Sequence, residues 1–177
     1  ISSCFNSKIY YLIIINERIF MFKINKVQAH CDIPCKVYDP SVIQYSTLSI
    51  VRFIDLINEE LKDAELNTNN IAQLSRLVAV KEQHAKEVKS EVATIWGDYF
   101  KEPQISKFPD VHALVHEIMQ LASKCKQENK RENGVELLKK VNKFTEIFWE
   151  TKGIKTEKKY APYPPELVIV CPILKSV

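Results

Sequence analysis

One short segment of the chain collects residues that bind metal ions. His30, Cys31 and Cys35 fall within six positions, and Pro34 lies between the two cysteines. Pro34 fixes its own φ and lacks an N–H, and Asp39-Pro40 is a turn signal, so the segment is predicted to be a short loop. Imidazole and thiolate are ligands that late first-row transition metals prefer. The spacing therefore predicts a loop in which three neighbouring donors bind one metal ion.

A disulfide between Cys31 and Cys35 is the alternative use of the same residues. The chain has five cysteines, an odd number that does not suit a disulfide framework. The other three are isolated, and Cys125 falls on an apolar helix face where a buried free thiol is expected. A disulfide also leaves the adjacent His30 without a role, so metal binding is the preferred interpretation.

The composition of the 177 residues is that of an ordinary globular chain, for which one domain is the default. Hydrophobic residues make up 46% and charged residues 27%, which argues against disorder. Three glycines are too few for turn-rich sandwiches and barrels. The net charge of +3 comes with interspersed Lys and Glu residues, so nothing indicates a nucleic-acid partner.

Apolar residues recur at helical spacing in four segments of the chain. The second segment runs from Ile71 to Trp96 behind a capping stretch at residues 67–70, the third from Val111 to Cys125 behind Asp110, and the fourth from Val135 to Phe148. The first segment follows Pro40 and places these residues on its inward face: Val42, Tyr45, Leu48, Val51, Ile54, Ile57 and Leu61. Four amphipathic helices with short connections predict an all-α, antiparallel up-down four-helix bundle.

The two ends of the chain depart from this helical pattern. The apolar run at residues 9–15 is too short for a membrane span, and residues 27–29 offer small side chains before a cleavage point. We expect residues 1–29 to be a removed leader or propeptide, or partly a non-translated extension if translation starts at Met21. Four prolines between residues 162 and 172 forbid a helix, so residues 153–177 are predicted to be an extended tail. Within that tail, residues 167–170 are a candidate short strand.

The metal-binding segment closely resembles the metal hook of the nickel superoxide dismutase family. That family's mature chain begins His-Cys-x-x-Pro-Cys-x-x-Tyr, and all five fixed positions occur here between His30 and Tyr38. Residues 78–83, 96–101 and 148–152 are similar to that family's helix segments, in the same order and spacing. The resemblance covers residues 30–152. It implies a nickel-dependent superoxide dismutase that converts superoxide to dioxygen and hydrogen peroxide, with one nickel ion per subunit cycling between Ni(II) and Ni(III).

The resemblance implies a ligand set for that nickel ion. The α-amine of His30, the backbone nitrogen and sulfur of Cys31 and the sulfur of Cys35 would form a square plane, and the His30 imidazole would bind axially in the oxidised state. A free α-amine requires a cut between Ala29 and His30, which implies a dedicated processing peptidase. The family also implies a homohexamer and a cytoplasmic location, or a plastid in a photosynthetic eukaryote.

Three further residues take catalytic roles from the same resemblance. Tyr38 would stand over the open face of the metal, and the alternative is a hydroxyl that caps a buried loop. Asp32 would hydrogen-bond within the hook and hold its shape. Arg76 matches an arginine that lies near the axial imidazole in the family, and the alternative is an ordinary surface charge on the second helix.

Two residues depart from the family pattern. Lys36 stands where the hook usually has Gly, which makes a left-handed backbone costlier there. Ser46 stands where family members often carry a Glu that bonds the axial His. The imidazole would then be held less firmly. The alternative function is therefore a non-enzymatic nickel-binding or helical interaction protein that kept the hook but lost turnover.

Overall fold

The computed structural model describes residues 10–15, 18–23, 37–62 and 67–176. Its contacts divide the chain into two compact units, residues 1–35 and residues 36–177. In the first unit the described backbone forms two antiparallel strands, β1 (Tyr10–Ile15) and β2 (Arg18–Lys23), with Tyr10 opposite Lys23. The removal of residues 1–29 stays a prediction, because strand pairing does not test it.

The second unit is built on four long helices: α1 (Ser41–Lys62), α2 (Thr68–Thr94), α4 (Val111–Gln127) and α5 (Arg131–Thr151). A short helix, α3 (Glu102–Lys107), connects α2 to α4 after a wider helical turn at Ile95–Tyr99. In none of the described ranges is a helix long and apolar enough to cross a membrane.

Contacts between neighbouring helices pair the end of one with the start of the next. Gln73 at the start of α2 donates to Glu60 at the end of α1, and Trp96 after α2 donates to His112 at the start of α4. At the other interfaces Lys140 pairs with Glu117, and Arg131 at the start of α5 pairs with Asp55 late in α1. The helices are therefore antiparallel to their neighbours, and the predicted four-helix bundle is confirmed.

Capping side chains behave differently at the starts of α2 and α4. The Asn67 Oδ1 atom accepts hydrogen bonds from the backbone N–H of Asn69 (2.9 Å) and Asn70 (3.1 Å), as the sequence predicted. Asp110 precedes α4, but its side chain makes no capping bond. Its φ of −78° and ψ of −1° are helical, whereas a capping side chain needs an extended backbone. The prediction of an Asp110 cap is therefore wrong.

The predicted inward face of α1 is right at four of its seven positions, since Leu48, Val51, Ile54 and Ile57 are buried. Val42, Tyr45 and Leu61 are 41%, 57% and 51% exposed, and Ile71 on α2 is 53% exposed, so their predicted inward positions are wrong. The buried stripe follows the alternating three- and four-residue spacing of a core-facing helix: Ile43, Thr47, Ile50, Ile54 and Ile57. The errors at Val42, Tyr45 and Leu61 arise because two apolar stripes overlap on one helix.

Helix α5 begins earlier than predicted, and it contains a glycine where it approaches α1 closely. The sequence placed Gly134 before the fourth helix, whereas it lies inside α5, which starts at Arg131. A Cβ atom on Gly134 would lie 2.7 Å from the Val51 Cγ2 atom. Glycine is tolerated inside this helix because its missing side chain lets the two backbones approach each other.

A β-hairpin follows the bundle. Strands β3 (Thr156–Tyr160) and β4 (Val168–Pro172) pair antiparallel, with Thr156 opposite Pro172. A strand does form over the candidate stretch near residues 167–170. Its partner β3 was missed because its exposed, charged sequence lacks the apolar residues that signal a strand. The hairpin packs against α1 and α5 through Leu48, Leu138 and Ala161.

Candidate metal centre

All three predicted metal ligands lie outside the described part of the chain. His30, Cys31, Asp32 and Cys35 belong to residues 24–36, so their roles stay predictions. The departure Lys36 lies there as well. The structure does describe Tyr38, Ser46 and Arg76. Among the ranges that it describes, no group of three or more His, Cys, Asp or Glu side chains is arranged to hold a metal ion.

Tyr38 packs against an aromatic end of the bundle. Its ring lies 5.8 Å from the Tyr99 ring, at an angle of 51°, and the side chain is half-buried beside the main core. Tilted aromatic pairs at this distance are favourable. Tyr38 is therefore held by its ring, three residues after Cys35 in the sequence.

Tyr99 is itself fixed by a chain of hydroxyl groups. Its hydroxyl lies 2.6 Å from the Thr151 Oγ1 atom, and the Thr151 hydroxyl donates to the Phe148 carbonyl at 2.6 Å. Because the single Thr151 proton goes to that carbonyl, Tyr99 must be the donor in the first bond. Tyr99 also packs on Phe148, with 4.9 Å between ring centroids. Tyr99, on which Tyr38 packs, is therefore held both by its hydroxyl and by its ring.

A lysine covers this aromatic cluster. The exposed Lys152 places its Nζ atom 4.6 Å from the Tyr99 ring centroid and 5.1 Å from the Phe148 ring centroid. A cation above an aromatic face is attracted by the ring quadrupole, and more strongly where water is partly excluded. The arrangement holds a positive charge close to Tyr99, the residue on which Tyr38 packs.

Ser46 lies in the interface of α1 with α2 and contacts a carboxylate. Its side chain is fully buried, and its Oγ atom donates a 2.6 Å hydrogen bond to the Glu87 Oε2 atom. The same oxygen lies 3.2 Å from the His84 Nδ1 atom. Two donors thus hold one oxygen of Glu87, whose side chain remains 40% exposed.

Aromatic rings fix the orientation of His84. The Phe53 ring stacks on the imidazole and the Tyr45 ring meets it edge-on, each with a centroid distance of 5.9 Å. An imidazole held in this way directs its Nδ1 atom at Glu87. The Glu87 carboxylate is therefore oriented from both helices, by Ser46 and by His84.

Sequence reasoning missed Glu87 as a functional candidate. Its signal is the i, i+3 spacing of His84 and Glu87, which places both on one face of α2. That spacing does not say which residue of α1 faces the pair. The register that brings Ser46 to Glu87 appears only once the two helices are packed.

Within one chain, Arg76 does not lie near Ser46 and Glu87. It precedes Glu87 by eleven residues on α2, which corresponds to about 16 Å along the helix axis. Its side chain is exposed and makes no ion pair or hydrogen bond with the residues that the structure describes. The structure therefore separates Arg76 from Ser46, and the catalytic role of Arg76 stays a prediction.

Comparison with known proteins gives one consistent family. The family model described as nickel-containing superoxide dismutase matches residues 25–152. A protein named superoxide dismutase [Ni] from Streptomyces coelicolor is 32% identical over 136 residues, covering 77% of this chain and 97% of that protein. The protein of the same name from Streptomyces seoulensis matches to the same extent.

Solved structures agree with the sequence comparison. The native structure of a nickel superoxide dismutase superposes with a TM-score of 0.61 at 31% identity. A second structure, described as having nickel ligation that corresponds to the oxidised state, gives a TM-score of 0.62 at 30% identity. Both matches cover 70% of this chain and 99% of the other. With the family's sequence matched over most of its length and its helical fold reproduced, the chain belongs to the nickel-containing superoxide dismutase family.

Proposed function

We propose that this chain is a nickel-dependent superoxide dismutase whose metal is held by residues 30–35. The observation that carries the proposal is the family match over residues 25–152, within which all five fixed hook positions are present. The reaction consumes two superoxide ions and two protons and yields one dioxygen and one hydrogen peroxide.

The chemistry of the donor set fits nickel. Cys31 and Cys35 supply two thiolates, and His30 supplies an imidazole and, once exposed, an α-amine. Thiolates are strong donors that stabilise a higher oxidation state, and tetragonal N,S ligation favours nickel or copper over zinc. When bound, nickel would supply a centre that takes one electron from superoxide and gives one to a second superoxide.

The remaining residues would orient the ligands and the substrate. Tyr38, supported by Tyr99, would limit access to the open face of the metal site. Asp32 would hold the hook by internal hydrogen bonds. Lys152 would contribute positive charge that attracts the anionic substrate.

Glu87 would supply the carboxylate that accepts a hydrogen bond from the His30 imidazole, since this chain lacks a carboxylate at that position of α1. Metal-bound histidines usually donate their second ring N–H to a carboxylate or carbonyl, which fixes the ring and its tautomer. The family resemblance implies that this carboxylate stands at the position of Ser46. The 2.6 Å bond from Ser46 to Glu87 supports the replacement, because it brings a carboxylate from α2 to the same position of α1.

Assembly and processing belong to the same proposal. A homohexamer would bring Arg76 of one subunit towards a neighbouring subunit, which is how we account for its distance from Ser46. A groove along the outward face of α2, lined in part by Ile71, Leu74 and Val78, supports self-association. A peptidase would cut before His30 in the cytoplasm or a plastid.

The decisive experiment prepares the chain with His30 as its first residue and supplies nickel. We expect native mass spectrometry to show bound nickel in every subunit of a hexamer, and superoxide decay well above the spontaneous rate. Cys31→Ser and Cys35→Ser should each abolish both results, whereas Cys171→Ser, a change at the half-buried thiol of β4, should preserve them. A wild-type preparation without nickel, and with superoxide decaying at its spontaneous rate, would contradict the proposal.

The alternative is a nickel-binding protein without turnover. It is motivated by Lys36 and Ser46, the two departures from the family pattern. Stoichiometric nickel together with spontaneous superoxide decay would favour that alternative. The position of Glu87 weakens the argument from Ser46, because a carboxylate is present beside that residue.

A further inference from the structure

The C-terminal hairpin lies outside the part of the chain that matches the family model. The family match ends at residue 152. Strands β3 and β4 begin at Thr156 and end at Pro172. The hairpin therefore follows the bundle that the family model covers, and its contacts indicate what it contributes.

The Gln44 side chain makes the pair of hydrogen bonds to the hairpin backbone that a neighbouring strand would make. Its side-chain amide donates to the Val170 carbonyl at 3.0 Å and accepts from the Val170 N–H at 2.8 Å. Gln44 is 6% exposed and Val170 is 1% exposed, so both bonds are buried. A buried pair of amide bonds is costly to break, because each unpaired group loses its hydration without compensation.

Apolar contacts and a third amide hold the rest of the hairpin. Leu48 of α1, Leu138 of α5 and Ala161 form a small buried cluster, with Leu167 and Ile169 packed on it. On α5, the Asn142 side chain donates to the Val168 carbonyl at 2.7 Å. The hairpin thus bridges α1 and α5 on a face that the bundle alone would leave open.

The bridge reaches the beginning of α1. Gln44 is the fourth residue of that helix. Asp39 and Ser41, just before and at the helix start, share a cavity of about 260 Å³ with Tyr163 and Cys171 of the hairpin segment. The end of α1 to which the hairpin is attached is thus the end that continues into residues 30–36.

We propose that the hairpin is a strap that positions the first turns of α1, with Gln44 as the positioning residue, and thereby slows the loss of nickel from the preceding loop. The metal part of this inference rests on the proposed function. The physical reason is preorganisation: a metal loop anchored to a fixed helix end has fewer conformations in which its ligands separate.

The test uses full-length variants with His30 exposed. Gln44→Leu removes both amide bonds from the helix side, and Ile169→Ala loosens the hairpin from its own side should the first variant fold poorly. Lys159→Ala is the matched control, because it removes only an exposed ion pair with Glu157 within the hairpin itself. Hydrogen exchange is followed in α1 and α4 of the metal-free chain, and nickel release to a chelator is followed by thiolate-to-nickel absorption.

We expect both strap variants to raise amide exchange in residues 43–48 and to release nickel about tenfold faster, with exchange in α4 and in the control unchanged. Unchanged exchange in α1 would overturn the strap. Faster exchange in α1 with an unchanged rate of nickel release would overturn its link to the metal. A wild-type chain that binds no nickel would instead overturn the proposed function, since the exchange measurement does not depend on the metal.

Discussion

Ser46 of α1 donates a 2.6 Å hydrogen bond to the carboxylate of Glu87 on α2. Short O–H···O bonds to an ionised oxygen are among the stronger hydrogen bonds in proteins. The bond joins two helices at the position where the family resemblance implies a carboxylate on α1 itself. It places an acidic group of α2 beside this position.

Glu87→Gln tests whether this carboxylate supports catalysis. The amide oxygen can still accept from Ser46, but the negative charge is lost. If Glu87 orients the His30 imidazole, dismutase activity should fall by about 10- to 100-fold with nickel retained, as is typical when the hydrogen-bond partner of a metal-bound His is lost. Activity per bound nickel is the measurement. Glu91→Gln, one turn along α2, is the matched control and should be neutral.

The exchange of the two side chains sharpens this test. Ser46→Glu combined with Glu87→Ser returns the carboxylate to α1 and should recover most of the activity that Glu87→Ser alone loses. Equal losses in the single and the double variant would show that the site does not use a carboxylate here.

Lys152 is predicted to speed the encounter with superoxide. Its charge is held above the Tyr99 ring, on which Tyr38 packs. Lys152→Met should lower the second-order rate constant about two- to fivefold at low salt, and the difference should shrink as salt screens the field. Lys139→Met removes the same charge from α5, where Lys139 pairs with Glu136, and should leave the rate unchanged. A salt-independent loss in Lys152→Met would contradict steering.

The sequence predicted the bundle because amphipathic periodicity reports directly on burial. Val51 and Ile54 were expected in the core and are fully buried. The periodicity did not choose correctly between Val42 and Ile43, since both belong to apolar stripes of α1 at helical spacing. The choice depends on how neighbouring helices approach α1, which is a property of the packed bundle.

Some residues of the candidate site could likewise be predicted from the sequence, and others could not. Adjacent donors such as His30 and Cys31 are visible in the sequence because their spacing is itself the signal. Glu87 lies 41 residues from Ser46, and Val170 lies 126 residues from Gln44, so both contacts depend on tertiary structure. No local pattern in β3 marked it as the partner of β4, because its residues are mostly exposed.

Gly134→Ala should destabilise the bundle. The added Cβ would meet the Val51 Cγ2 atom at 2.7 Å, closer than unstrained atoms pack, so α5 must move away from α1. Overpacking of this kind costs about 1–3 kcal/mol of unfolding free energy, measured by urea denaturation. Gly97→Ala is the control, since nothing lies within 4 Å of the added atom. A neutral Gly134→Ala would show that the interface is looser than its contacts indicate.

Cys125 should give the bundle a pH dependence above pH 9. The thiol is fully buried on α4, and burial raises its pKa from 9.0 to about 11, an effect that the nearby Lys81 opposes. Because the folded chain holds this proton more tightly than the unfolded chain, the stability it contributes is present below pH 9 and is lost as the pH rises to 11. A difference of two between the pKa values corresponds to about 2.7 kcal/mol.

The measurement compares the unfolding free energies of the wild type and of Cys125→Ala between pH 8 and pH 11. Burial lowers the pKa of Lys81, whose ammonium group bonds to Asn129 at 2.6 Å, and this lysine acts in the opposite direction. Lys81 is present in both proteins, so its effect largely cancels in the difference. The wild type should lose up to about 2.7 kcal/mol relative to the variant over this range. A constant difference would mean that the thiol ionises in the folded chain as easily as in water.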